Sequence, residues 1–339
     1  MKLDAGLGTE GNYLKEVDRT ARAAEDLGFA GLWTSETKHD GFLPLAIAAN
    51  ETSKMELGTS VAIAFSRSPM ETAQTAWDLQ DLSNGRFILG LGTQVKAHIT
   101  RRFSMPWHRP AAQLREYILA LREIWESFQN EGPLEFEGEF YRHTLMTPFF
   151  NPGPIEHPEI PIYIAGVNTR LAKLAGEICD GFHVHPFHSP EYVRQTVKPA
   201  IAEGAALTDR DPDQVELATS AFVISAESEE EAREQRESVR AQISFYGSTP
   251  TYRTVLEAHG WEEVGERLGA MAREKKWRGM PALVTDEMLA TFAVEAAPDE
   301  LGAALRERYT GLIDRVTLYV PFVPGERDTF WQTVVESVR

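Results

Sequence analysis

Cysteine is almost absent: Cys179 is the only one in 339 residues, so no disulfide can form within one chain. It sits in Leu171-Ala-Lys-Leu-Ala-Gly-Glu-Ile-Cys-Asp-Gly181, where it reads as a helical core position rather than a nucleophile. Positive charge is also scarce. Lys and Arg number 34 against 51 Asp and Glu, a net charge of −17, which disfavours nucleic acid and anionic lipid and leaves a small molecule as the expected partner. No apolar run approaches the length of a membrane span, and Met1-Lys2-Leu3-Asp4-Ala5-Gly6 lacks the charged-then-apolar pattern of an export signal. No membrane association and a cytoplasmic location are the expectations. The first strand has no His-x-His pair of the kind a barrel metallohydrolase carries, so no metal is expected.

Strand-like runs alternate with amphipathic helical runs from end to end. Strands are expected at residues 3–7, 31–34, 57–65, 87–91, 161–165, 181–185, 215–224 and 315–320. Residues 13–27 place Val17, Ala21, Ala24 and Leu27 on one helical face and stop at Gly28. Ser68-Pro69-Met70-Glu71 supplies an N-cap, a proline at the first helical position and a capping-box glutamate. Eight strands with intervening helices predict one α/β domain over residues 1–339, a (β/α)8 TIM barrel. A doubly wound sheet would carry its glycine fingerprint after the first strand, whereas here the glycines close the fourth. Two connections exceed an ordinary crossover: residues 94–110 after strand four, and the mostly helical 227–314 between strands seven and eight. Such excursions serve as lids, substrate walls or dimer contacts, and a homodimer or higher homo-oligomer is expected.

Barrel chemistry sits at the carboxyl ends of the strands. Asn84-Gly-Arg-Phe-Ile-Leu-Gly-Leu-Gly-Thr93 joins a turn pair to an apolar strand, and Gly90 and Gly92 read as places where backbone lies against a flat ring or a phosphate. Strand two ends in Ser35-Glu36-Thr37-Lys38-His39-Asp40, so His39 is the candidate for proton exchange and Glu36 for orienting it or a cofactor. His183 and His185 alternate onto one face after strand six and read as imidazoles contacting an organic ligand. Residues 94–110 hold Lys96, His98, Arg101, Arg102, His108 and Arg109 with no acid, a contrast that suits an anion site; a surface loop or dimer contact is the alternative.

Together these residues resemble the luciferase-like monooxygenase superfamily, in particular its branch dependent on coenzyme F420, a deazaflavin. The resemblance spans nearly the whole chain and is carried by Ser83-Asn-Gly-Arg-Phe-Ile-Leu-Gly-Leu-Gly-Thr93, Leu57-Gly-Thr-Ser-Val61, Pro161-Ile-Tyr-Ile-Ala-Gly166 and Ala175-Gly-Glu-Ile-Cys-Asp-Gly181. It implies a non-proline cis peptide at Ser60-Val61 behind the deazaflavin ring. It further implies Glu36 as a cofactor-contacting acid and Gly92, Thr93 and Gln94 along the ring. Ala165, Gly166, Val167 and Asn168, with Val184 and His185, would surround the phosphate-bearing side chain. Hydride would pass between F420 and a small organic substrate, with an activated C=C or C=O reduced, His39 and Glu36 catalytic, and Lys96 and Arg101 holding the anionic tail. Sugar-phosphate dehydrogenation is not expected, because Thr37 rather than an imidazole follows Glu36. The alternatives are an FMN-dependent monooxygenase and a non-catalytic flavin-binding relative.

Overall fold

The computed structural model describes residues 1–8 and 13–338. Eight parallel strands close on themselves: β1 (Lys2–Gly6), β2 (Gly31–Thr34), β3 (Glu56–Thr59), β4 (Phe87–Gly92), β5 (Ile162–Gly166), β6 (Gly181–Val184), β7 (Glu216–Ile224) and β8 (Arg315–Leu318). Each pairs with the next, and β8 returns to β1 with Arg315 opposite Lys2. This is the TIM barrel that the alternation predicts. Strands covered on both faces must be apolar throughout, and every residue of β2 and β4 is buried.

The helical punctuation follows the sequence. Helix α1 (Val17–Leu27) ends where Gly28 turns left-handed at φ 91°. Helix α2 (Pro69–Leu82) begins with the Ser68 side chain accepting from Glu71 N–H at 3.1 Å. Asn84 and Gly85, at φ 54° and 82°, make the turn into β4. Arg86 then donates to the carbonyls of Ala49, Thr52, Met55 and Ser83, a purely structural use of the motif's arginine. Cys179 is fully buried just past α3 (Thr169–Ile178), and burial pushes its thiol pKa up.

Three elements carry detail beyond the sequence pattern. The third strand is not continuous over 57–65: β3 stops at Thr59, a short piece Ala62–Ile63 resumes pairing with β4, and residues 64–66 turn into a 3-10 helix. Gly58 faces Ile88 and Ala62 faces Leu91, so four steps on one strand meet three on the other and one residue bulges out. The cis peptide Ser60-Val61 lies inside that bulge. The 227–314 connection is mostly helical, led by α4 (Glu229–Gly247) with its Ser228 cap, but it also contributes a ninth parallel strand, Ala293–Glu295, beside the end of β7. Residues 191–206 are helical with a π turn at Val193–Val197.

The amino-terminal end of the barrel is closed by charge rather than by hydrocarbon. Arg315, fully buried, grips Asp4 through two bonds of 2.8 and 2.9 Å, donates to Glu56 at 2.6 Å and lies 5.1 Å from the Trp33 ring centre. Trp33 Nε1 donates to the same Asp4 at 2.8 Å. No helix among the described residues is long and apolar enough to cross a membrane.

Candidate active site

A cavity of about 610 Å³ opens at the carboxyl ends of the strands, within the range of small-molecule sites. Its wall draws Glu36 from the β2 exit, Ser60 and Val61 from the bulge, and Gly92, Thr93 and Gln94 from the β4 exit. Ala165, Gly166, Val167 and Asn168 follow β5, and Val184 and His185 follow β6, so these residues, spread over 150 positions of sequence, share one wall. His39, Lys96 and Arg101 are exposed and do not belong to that lining. Lys96 and Arg101 bound the short helix Lys96–Arg101 outside the cavity. Arg109, from the same basic segment, pairs with Glu139.

The two strand-end glycines make room for protein before they make room for ligand. A Cβ on Gly90 would fall 1.7 Å from the Thr59 carbonyl oxygen, and one on Gly92 would fall 2.5 Å from Val61 Cγ2. The Thr59 hydroxyl holds the same glycine, donating to Gly90 O at 2.7 Å and accepting from Gly90 N–H at 2.9 Å where the ladder is interrupted. The expectation that both glycines face a bound group is therefore corrected for Gly90, whose missing side chain admits the bulge. Gly92 does reach the cavity, together with the Val61 it accommodates.

Glu36 is 9% exposed and fully engaged. Its Oε2 accepts from Ile63 N–H at 2.7 Å and from Arg67 at 2.7 Å, and its own N–H donates to the Val61 carbonyl at 3.2 Å. The same arginine donates to Asp40 at 2.7 Å, while Asp40 accepts from Phe42 and Leu43 N–H at the start of helix Leu43–Glu51. Glu36 thus ties the β2 exit to the bulge, and the chain beyond it turns outward to reach Arg67, which carries His39 away from the cavity lining. Nothing in Phe65-Ser-Arg67 marks the arginine in sequence, since its role depends on two acids about 30 positions earlier.

The imidazoles are held neutral. His183 lies in the wall against Trp33, with ring centres 5.0 Å apart, its Nδ1 3.5 Å from Ser60 Oγ and its Nε2 buried without a hydrogen-bond partner among the described residues. Burial, reinforced by the Arg315 charge, lowers its pKa to about 3. His185 accepts from Phe187 N–H at 3.0 Å through Nδ1, which places its proton on Nε2, 3.3 Å from Tyr252 Oη. Burial, then His188, lowers its pKa to about 3. His188 donates through Nδ1 to the His185 carbonyl at 2.9 Å and accepts from Tyr309 Oη at 3.2 Å, a structural histidine beneath the wall.

Several wall residues escaped the sequence reading. Trp33 is buried and also lines the cavity. Tyr246 at the end of α4, Tyr252 just after it and Tyr319 just past β8 complete the lining. The available signal was Phe245-Tyr246, an aromatic pair closing an otherwise charged helix.

Residues 1–315 match the sequence pattern of the luciferase-like monooxygenase family. The uncharacterized protein Rv1360 of Mycobacterium tuberculosis is 44% identical over 316 residues, covering 93% of this chain and 92% of that protein. The 5,10-methylenetetrahydromethanopterin reductase of Archaeoglobus fulgidus is 27% identical over 319 residues, covering 92% and 91%. Among solved structures, the coenzyme F420 dependent tetrahydromethanopterin reductase from Methanopyrus kandleri superposes with a TM-score of 0.78 at 22% identity, covering 99% of this chain and 98% of that one. With its barrel, its interrupted third strand and a sequence match over nearly its whole length, the chain belongs to the luciferase-like monooxygenase family.

Proposed function

We propose that this chain is an oxidoreductase that passes hydride between coenzyme F420 and a small organic substrate, reducing an activated C=C or C=O. The observation that carries the reading is the shared wall: the bulge and the ends of β4, β5 and β6 line one cavity with small side chains and exposed backbone. A flat ring system fits such a surface, and Val61, Gly92, Thr93 and Gln94 would hold it. Ala165 to Asn168, with Val184 and His185, would hold its side chain. Lys96 and Arg101 stand outside that wall with exposed cationic heads, where a polyanionic tail leaving the cavity would meet them. The likeness to a putative coenzyme F420-dependent oxidoreductase of Mycobacterium tuberculosis, 36% identical over half of this chain, supports the choice of cofactor.

When bound, the deazaflavin supplies a two-electron hydride carrier. The chain supplies position and a dry, fixed wall. Glu36, neutralised by Arg67, acts as a positioning residue that fixes the bulge from behind, and the neutral His183 and His185 add polarity without charge. His39 stands at the solvent side of the site.

Separate titrations of the apo protein with oxidised F420 and with FMN test this reading. Tighter F420 binding, weakened by salt and by Arg101→Ala, is expected. Tighter FMN binding with oxygen-consuming turnover would overturn it in favour of a monooxygenase.

A further inference from the structure

The cavity wall built by β8 and the 227–314 insertion carries more hydrogen-bond donors than it can use. Tyr246 Oη and Tyr319 Oη lie 2.7 Å apart. A contact between two phenols consumes one O–H and leaves the other unspent. The next pair repeats the pattern. Because His185 Nδ1 accepts from Phe187 N–H, its proton sits on Nε2 and is donated to Tyr252 Oη at 3.3 Å, so the Tyr252 O–H has no acceptor among the described residues. The rings are locked together, with His185 centred 4.6 Å from Tyr246 and 4.5 Å from Tyr252, and Phe222 5.0 Å from Tyr319. All four polar residues line the one cavity. Two phenolic protons without acceptors ask for a ligand that brings an oxygen.

The charge inventory narrows the ligand further. The lining contains neither lysine nor arginine, and Arg67, behind Glu36, is shared with Asp40. A carboxylate held against these phenols, away from the start of α3 at Asn168 where the cofactor's phosphate would lie, would lose its hydration and meet no cation, an uncompensated burial costing several kcal/mol. A neutral carbonyl oxygen needs only the donors. Burial raises the pKa of Tyr246 and takes that of Tyr252 up to about 12, so both remain protonated donors at neutral pH.

We propose that Tyr246 and Tyr319, assisted by Tyr252, form the substrate-binding clamp, and that its ligand is an uncharged, ring-bearing carbonyl compound whose oxygen accepts the unspent phenolic protons. This deepens the hydride-transfer reading and rests on it for the identity of the reaction, while the binding itself needs no cofactor.

Cinnamaldehyde and cinnamate are the probes, one neutral and one anionic on the same ring. Each is titrated into the protein with and without oxidised F420, and the carbonyl stretch of bound cinnamaldehyde is recorded by difference infrared spectroscopy. Cinnamaldehyde should bind at least tenfold more tightly than cinnamate, with its carbonyl stretch shifted to lower frequency. Tyr319→Phe combined with Tyr246→Phe should weaken binding about tenfold and return the stretch towards its solution value, with the melting temperature reported alongside to separate clamp from fold. Equal or tighter cinnamate binding, a carbonyl stretch indifferent to the phenylalanine variants, or no binding of either probe in both states would overturn the clamp. Failure of F420 to bind while cinnamaldehyde behaves as expected would overturn the cofactor reading alone.

Discussion

Replacing Gly92 and Gly90 by alanine separates two kinds of crowding at the bulge. In Gly92→Ala the new Cβ meets a methyl, Val61 Cγ2, at 2.5 Å, with the next contact 3.5 Å away at Val61 Cβ. Overpacking of this type costs roughly 1–3 kcal/mol. Val61→Ala removes the offending methyl, so the double variant should be more stable than the sum of the singles predicts by about 1–2 kcal/mol. In Gly90→Ala the obstacle is backbone: the Thr59 oxygen at 1.7 Å and its carbonyl carbon at 2.9 Å. No side-chain truncation relieves that, and both Thr59–Gly90 hydrogen bonds, worth about 1 kcal/mol each, are put at risk. Adding these bonds to the overpacking cost gives about 3–5 kcal/mol. Urea unfolding midpoints for the four variants provide the measurement. A Gly90→Ala protein within 1 kcal/mol of the parent on this order-of-magnitude scale, or a Gly92→Ala defect untouched by Val61→Ala, would refute the reasoning.

Further outcomes follow from the charged networks. Arg315→Met strands Asp4, 1% exposed, without its bidentate partner and should cost about 3–5 kcal/mol; a melting temperature close to the parent's would contradict this. Arg67→Ala leaves Glu36 buried and unmatched behind the bulge, so F420 affinity should fall about tenfold, and unchanged affinity would remove Glu36 from any role in shaping the wall. His183, His185 and His188 have folded pKa values of about 3, 3 and 4, below the ordinary histidine value near 6.5. The unfolded chain therefore binds more protons between those values. Stability should be fully present above about pH 6.5 and decline as the pH falls towards 4, with His188→Gln showing a shallower decline than the parent in urea midpoints taken across that window.

The barrel was legible in sequence because its signal is local and redundant. The strand at Phe87–Gly92 announces itself as a short apolar run after a turn pair, and α2 carries its cap, proline and glutamate within four residues. The ninth strand was not legible, since three residues, Ala293–Glu295, offer no period to read. The site was legible where backbone makes it. The runs around Gly92 and Ala165 line the cavity. Side-chain geometry was harder. His39 sits three positions from Glu36, yet the pull of Arg67 on Asp40 turns it outward, and an ion pair between residues 27 apart leaves no pattern in the chain. The tyrosine clamp was invisible for the same reason: Tyr246 and Tyr319 are 73 residues apart and meet only once the insertion has folded over the barrel.

The grip of Arg315 on Asp4 also sets a timetable. The two residues are 311 positions apart, and together they hold the first strand to the last. At a synthesis rate of roughly 5–20 residues per second, Asp4 waits about 15–60 s before its partner exists. Throughout that interval β1 lacks one of its two neighbours, leaving an unpaired edge of the kind that invites association with other nascent chains. Completion of the barrel thus waits for the last strand, which brings a buried charge pair as well as apolar contacts such as Phe29 with Phe322. The vulnerable period in the life of this protein falls on the ribosome, before there is a cavity to fill.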